Sequence, residues 1–186
     1  IMRKYLTQDE IERLIVAASA GLHAKRDACL IKMCFIHGFR VTELCKIQLQ
    51  HLDINSKTLF VHRSKNGLST IHPLVGSEMP FLLAWLEERK AWRDCGSDWL
   101  FLSQKGGRLS RQQVYLLFRK YGKIADIAVE PHPHMLRHAC GYALADRGAN
   151  TRLIQDYLGH KNIQHTVIYT ASNSRRFINV WEDLTS

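Results

Sequence analysis

The chain has 186 residues, of which 46% are hydrophobic, and it carries 26 Lys and Arg residues against 17 Asp and Glu. This length suits one domain with its own core, and no apolar run is long enough to cross a membrane. A net charge of +9 is typical of a protein that binds a polyanion, most commonly nucleic acid. Five cysteines, without a Cys-x-x-Cys pair, favour reduced thiols in a cytoplasmic protein.

Helical patterns fill the first fifty residues. Thr7-Gln8-Asp9-Glu10 is a capping box that begins a helix, and a second helix is predicted over 25–37 with Gly38 as its end. Thr42 is predicted to cap a short third helix that contains Glu43.

The middle of the chain has a β-like pattern. The runs 58–63 and 68–74 are rich in residues that favour strands, and Asn66-Gly67 lies between them. An Asn-Gly pair is a strong hairpin signal and is predicted to fix the register of the two strands.

The second half of the chain is again helical. Helices are predicted to begin at Ser77, to run from Ser110 to about Tyr121 and from His134 to Arg147, around 162–169, and over the amphipathic stretch 175–184. Thr151 is predicted to cap a further helix that runs through Leu158 and ends at Gly159. The sequence therefore predicts a mainly α fold with a small antiparallel β-hairpin.

Five short motifs follow one another along the chain, and all contain cationic or nucleophilic side chains. They are Arg40-Val41-Thr42-Glu43-Leu44, Lys65 beside the hairpin tip, His134-Met135-Leu136-Arg137-His138, Leu158-Gly159-His160, and Thr166-Val167-Ile168-Tyr169-Thr170. Each motif alone is weak, but the ordered set resembles the tyrosine recombinase (phage-integrase) family.

The resemblance extends from about Leu6 to Trp181 and is strongest to the Fim-type recombinases. Those enzymes invert a short promoter-bearing DNA segment that switches bacterial fimbriae on and off. The resemblance implies a tyrosine recombinase catalytic-domain fold and DNA cleavage through a 3′-phosphotyrosine. It further implies that residues 1–186 form a single catalytic domain without the separate N-terminal core-binding domain of most family members.

The chemistry needs cations for an anionic phosphodiester, a base for a tyrosine hydroxyl whose pKa is about 10, and an acid for the leaving oxygen. The candidate residues are Arg40 and Arg137 on the phosphate, Tyr169 as nucleophile, His134 as base, His160 as a further phosphate hydrogen-bond donor, Lys65 as general acid, and Glu43 as the residue that orients the site. The ester conserves the bond energy and the arginines take the place of a metal, so neither ATP nor a metal cofactor is expected.

Ordinary structural roles compete with this assignment when each residue is taken singly. Tyr169 could be a packing residue, His160 a helix cap, Lys65 a solvated turn residue, and Arg40 with Glu43 a plain ion pair. His134 and His138 also have a metal-ligand spacing, although Arg137 beside them would repel a cation. The joint occurrence in one order favours catalysis.

Residues outside these motifs are candidates for contacts with DNA and with other protomers. The DNA-binding candidates are Arg111, Gln112, Gln113, Arg119 and Lys120. The stripe of Phe177, Ile178 and Trp181 either docks on a neighbouring protomer or packs on its own domain. The resemblance implies that the partner is double-stranded DNA with inverted-repeat sites and that the protein forms a homotetramer on that DNA. It also implies a location at the nucleoid in the bacterial cytoplasm, with DNA-bending proteins as possible accessory partners.

Two other functions fit part of the pattern. A type IB topoisomerase uses similar residues, but it would relax supercoiled DNA without a particular site. A non-catalytic DNA-binding regulator could keep the fold, but it would be expected to lack at least one of the catalytic residues.

Overall fold

The computed structural model describes residues 3–63, 67–160 and 175–181 of the chain. In these ranges it confirms the mainly helical fold with a small antiparallel sheet, and no helix there is long and apolar enough to span a membrane. The elements are α1 (Gln8–Ser19), α2 (Ala24–His37), α3 (Val41–Cys45), β1 (Leu52–Asp53), β2 (Thr58–Val61), β3 (Thr70–Pro73), α4 (Met79–Arg89), α5 (Arg111–Ile124), α6 (Pro133–Asp146), α7 (Thr151–Leu158) and α8 (Arg175–Ile178).

Helix α2 lies at the centre of the core, and every residue from Arg26 to His37 is buried. It contacts α1, α4 and α6, as expected of a helix with apolar residues around its whole circumference. Its buried Asp27 accepts hydrogen bonds from Arg26 Nε at 2.8 Å and from Tyr121 Oη at 2.5 Å. The helix ends at Gly38, whose left-handed φ of +63° turns the chain toward α3.

Two helix caps differ from the sequence predictions. Thr42 lies inside α3, and the N-cap position belongs to Arg40, because the Glu43 carboxylate accepts the Arg40 backbone N–H at 2.7 Å. Thr151 is likewise inside α7, where Asn150 takes the cap position and its side chain accepts a backbone N–H. In both cases a polar side chain satisfies a backbone donor that the first helical turn leaves unpaired.

The sheet has the strand order β1-β2-β3, and the prediction missed its short first strand. The hairpin register was also predicted wrongly. A two-residue turn at Asn66-Gly67 would pair Val61 with His72, whereas the structure pairs Val61 with Thr70. The shift of two residues keeps the alternation of faces. His72 stays buried, and its hydrogen bonds outside the sheet favour the observed register over the one that the local turn would set.

Part of the C-terminal stripe packs on the core of its own chain. Phe177 and Trp181 are fully buried, with Phe177 edge-on to Tyr157 and Trp181 edge-on to Phe35. Ile178 is 41% exposed and does not belong to the buried stripe. These two buried side chains therefore close the core next to α2 and α7.

Candidate active site

Arg40 lies where the chain passes from α2 into α3. Its side chain is 34% exposed, whereas that of Glu43, one turn later, is fully buried. Glu43 accepts from the Arg40 backbone N–H and, at 3.1 Å, from Arg40 Nη1. The buried carboxylate therefore orients a guanidinium that still faces solvent, a geometry suited to binding an anion.

Arg137 is held by backbone carbonyls on the buried side of α6. Its Nη1 donates to Gly38 O at 2.6 Å and its Nη2 to Leu158 O at 3.0 Å. Burial, followed by repulsion from Arg63 and Arg40, lowers the pKa of Arg137 to about 10. The guanidinium stays protonated at neutral pH, but it lies in a region with an excess of positive charge that a bound anion would relieve.

His134 and His160 complete this cluster. Together with Arg137, His138 and Tyr142, they line one cavity of about 310 Å³. Partial burial and then neighbouring cationic side chains lower the pKa of His134 and of His160 from the ordinary histidine range. Both imidazoles are therefore neutral at pH 7, the state in which a ring nitrogen can accept a proton.

A second cavity of about 300 Å³ also has His134 in its lining, together with Arg40, Thr42, Arg111 and Tyr115. His134 thus faces both cavities. Four of the predicted residues therefore line two adjoining cavities, called the cleft from here on: His134, Arg137 and His160 line the first, and Arg40 and His134 line the second. The structure places Glu43 directly beneath Arg40.

Arg63 is a residue of this region that the sequence analysis missed. Its side chain is fully buried, and its Nη1 donates to Glu43 Oε1 at 3.0 Å. Its Nη2 donates to His37 O and to Tyr157 O, both at 2.9 Å. A basic residue at the end of a predicted strand gives no local sign of burial, because its acceptors come from distant parts of the chain.

Gly159 is required by a close approach of two chain segments. Its φ is +74°, and a Cβ at this position would lie 2.6 Å from Arg63 Cγ and 2.8 Å from Leu68 O. Leu68 N donates to Gly159 O at 3.0 Å. The glycine therefore ends α7 and lets the hairpin pack against the residue that precedes His160.

The α5 candidates for DNA contact fall into three groups. Arg111 and Gln112 are exposed, and Arg111 lies in the same cleft as Arg40. The Gln113 side chain is used within the fold, because it accepts from Ser110 N and donates to Ser103 Oγ. The candidates nearer the C-terminal end of the helix are also exposed: Arg119 pairs with Glu130, and Lys120 lies over the Tyr121 ring.

Two predicted catalytic residues, Lys65 and Tyr169, lie outside the described residues.

Among the residues that the structure describes, no group of three or more His, Cys, Asp or Glu side chains could hold a metal ion. The His134 and His138 rings meet edge-on with centroids 4.5 Å apart.

Replacing Gly159 by Ala is expected to destabilise the protein more than replacing Gly107 by Ala. The two glycines have similar φ values, +74° and +71°, but a Cβ at Gly107 would meet no atom within 4 Å. The backbone strain of the two variants is therefore similar. The difference between their free energies of unfolding then reports the close approach to Arg63. We expect it to be about 1–3 kcal/mol, the usual cost of overpacking. Urea unfolding of both variants measures it, and equal losses of stability would contradict the packing account.

In the DNA-free protein, His134 and His160 are expected to titrate below the ordinary histidine pKa of about 6.5. Partial burial, followed by the neighbouring cationic side chains, disfavours protonation of either ring. Following the imidazole resonances by NMR while the pH is lowered from neutral tests this, with His134→Gln and His160→Gln used for assignment. An upward shift of either pKa would show that the cleft is not electropositive.

Comparison with known proteins agrees with this geometry. The sequence pattern of the phage integrase family matches residues 4–176. The type 1 fimbriae regulatory proteins FimB and FimE of Escherichia coli (strain K12) are 51% and 49% identical to this chain. The alignments cover 97% of this chain, 90% of FimB and 91% of FimE.

The solved structures agree as well. The crystal structure of XerA recombinase superimposes with a TM-score of 0.77 at 28% identity, over 96% of this chain and 65% of that one. The catalytic core of lambda integrase, at 22% identity, shares the fold with a TM-score of 0.67. This chain therefore belongs to the phage integrase family, the site-specific tyrosine recombinases that cut and rejoin DNA.

Proposed function

We propose that this chain inverts a promoter-bearing DNA segment that controls fimbrial expression, by cutting and rejoining double-stranded DNA at inverted-repeat sites. The observation that carries the chemical part is the convergence of Arg40, His134, Arg137 and His160 on one cleft. The biological part rests on the near full-length similarity to two proteins named as regulators of type 1 fimbriae.

Arg40 and Arg137 bind the non-bridging oxygens of the scissile phosphate. A guanidinium has five N–H donors, and the bonds of Arg137 to Gly38 O and Leu158 O use two of them. The remaining N–H groups of the Arg137 guanidinium can donate to a ligand while these two hydrogen bonds stay in place. Donors fixed in advance stabilise the additional charge of the transition state without reorganising during the reaction.

Cleavage begins when Tyr169 attacks the phosphorus and its proton passes to neutral His134. The bond between phosphorus and the 5′-oxygen breaks, and Lys65 gives a proton to that oxygen. The products are a 3′-phosphotyrosine and a free 5′-hydroxyl. Attack by a 5′-hydroxyl of the exchanged strand reverses the chemistry and restores the phosphodiester, so the cycle requires neither ATP nor a metal.

The positive charge of the chain supports a wider DNA surface around this cleft. Arg111 and Tyr115 lie beside Arg40 and extend the cleft along α5. We assign Arg111, Gln112, Arg119 and Lys120 to DNA contacts. Inversion cuts and rejoins four strands, two at each of two sites, and each protomer supplies one nucleophile. We therefore further propose a homotetramer on the DNA, with DNA-bending proteins bringing the two sites together on the bacterial nucleoid.

Tyr169→Phe is expected to bind the site normally and to form no covalent adduct with a suicide DNA substrate, because it lacks the attacking oxygen. Denaturing gels with labelled DNA detect the adduct. Tyr142→Phe is the matched control, because Tyr142 is exposed and lines the cavity with His134 and Arg137. An adduct that persists in Tyr169→Phe but disappears in Tyr142→Phe would move the nucleophile. Equal adduct formation on a scrambled site would favour a topoisomerase.

Lys65→Ala is expected to slow cleavage of ordinary DNA severely and to recover when sulfur replaces the scissile 5′-oxygen, because a thiolate leaves without a proton. Single-turnover cleavage of both substrates gives the two rates. Lys57→Ala is the control, since Lys57 is exposed in the turn between β1 and β2. Equal slowing on both substrates would assign Lys65 to phosphate binding, and unchanged cleavage would remove it from the site.

A further inference from the structure

Arg63 makes contacts that no predicted role requires. Its fully buried guanidinium donates to four acceptors: the Glu43 carboxylate and the backbone carbonyls of His37, Gly38 and Tyr157. A buried charge is costly unless it is paired and hydrogen-bonded. So many acceptors around one side chain indicate a position that the fold is built to hold.

The carbonyl acceptors lie at the ends of two helices. His37 and Gly38 end α2, and Tyr157 belongs to the last turn of α7. The last carbonyls of a helix have no hydrogen-bond donor within the helix, and they carry a partial negative charge. A cationic donor at this place supplies the missing hydrogen bonds and also neutralises part of that charge. Arg63 therefore caps α2 and α7 at once.

The segments that follow these two ends carry the phosphate-binding side chains. Arg40 comes two residues after Gly38, and His160 comes three residues after Tyr157. The distance between the two helix ends therefore sets how far apart these side chains can lie. Arg137 reinforces the same arrangement, since it donates to Gly38 O and to Leu158 O.

The hairpin contributes a second donor to the same place. His72 Nε2 lies 2.9 Å from Tyr157 O, the carbonyl that also accepts from Arg63. Complete burial, with the charges of His37 and Arg63 nearby, holds the pKa of His72 well below the usual range. The neutral ring therefore carries its proton on Nε2 and donates it to that carbonyl. The hairpin therefore supplies two donors to the end of α7: Arg63, two residues after β2, and His72 within β3.

Glu43 connects this arrangement to the exposed arginine. Its Oε1 accepts from Arg63 Nη1 and from the Arg40 backbone, and its Oε2 accepts from Arg40 Nη1. Without Arg63, the carboxylate would lose its buried counter-charge. Its attraction for the Arg40 side chain would then compete more strongly with a DNA phosphate.

We infer that Arg63 is a positioning residue for DNA cleavage, which holds the ends of α2 and α7 and the Glu43 carboxylate so that Arg40 and His160 meet the same phosphate. Arg63 does not touch the substrate, because its side chain is fully buried. The inference rests on the proposed function and goes beyond it by assigning a role to a residue outside the five motifs.

Arg63→Lys tests this role, because lysine keeps the charge but carries its three N–H donors on one nitrogen, which cannot span the acceptors that Arg63 reaches through Nη1 and Nη2. A misplacement of about 1 Å can cost about 100-fold in rate. We therefore expect single-turnover cleavage at saturating DNA to fall at least about tenfold, with the dissociation constant for DNA changed less than about threefold, since affinity comes from phosphate contacts at the surface.

Arg89→Lys is the matched control. Arg89 is also buried and donates to backbone carbonyls, but none of them belongs to the cleft: they are those of Cys95, Ser97, Trp99 and Leu100. It is expected to lose a similar amount of stability in thermal unfolding and to cleave within about twofold of the unaltered chain, as expected of a change remote from the site. An equal fall in cleavage for both variants would mean that buried arginines act only through stability, and would overturn the inference.

A second variant, Arg63→Met with Glu43→Gln, removes both buried charges at once and avoids an unpaired carboxylate. It is expected to fold and to show the same selective loss of cleavage. Unimpaired cleavage by either Arg63 variant, or failure of both to fold while Arg89→Lys folds, would overturn the positioning role. Absence of an adduct with the unaltered chain would instead refute the proposed function.

Discussion

The guanidinium of Arg63 donates to carbonyls at the C-terminal ends of both α2 and α7 and to the buried carboxylate of Glu43. Arg137 spans the same two ends through Gly38 O and Leu158 O. Helix ends expose carbonyls that need donors, and these two arginines supply them. The backbone that leads to Arg40 and His160 is therefore fixed by hydrogen bonds to rigid helices.

The same arrangement creates the electrostatic character of the cleft. Arg40, Arg63 and Arg137 surround one carboxylate, Glu43, so positive charge remains in excess. Burial, and after it this excess of positive charge, lowers the pKa of Arg137 to about 10 and also lowers the pKa of His134 and of His160. An anionic phosphate restores the balance of charge, while a neutral imidazole remains able to accept a proton. Binding and proton transfer therefore follow from one distribution of charge.

Local sequence signals predicted the features that depend on neighbouring residues. Gly38 and Gly159 ended helices as expected, and the ordered motifs identified the Arg40, His134, Arg137 and His160 cluster that the fold assembles. Long-range contacts explain the failures. Arg63 was missed because its partners lie up to 94 residues away. The hairpin register was wrong because buried His72, held by His37 and Tyr157, outweighed the Asn-Gly turn.

The central claim is that this cleft serves a covalent attack by Tyr169, and peptide mapping of the trapped DNA adduct tests it most directly. Trypsin separates the tyrosines of this part of the chain: Tyr169 falls in the peptide 162–175, Tyr157 in 153–161 and Tyr142 in 138–147. Tyr157 is fully buried and its hydroxyl donates to Ile36 O, so it is not available to attack DNA. After nuclease digestion, mass spectrometry should find the nucleotide on Tyr169 in the peptide 162–175. A nucleotide on either of the other peptides would contradict the account.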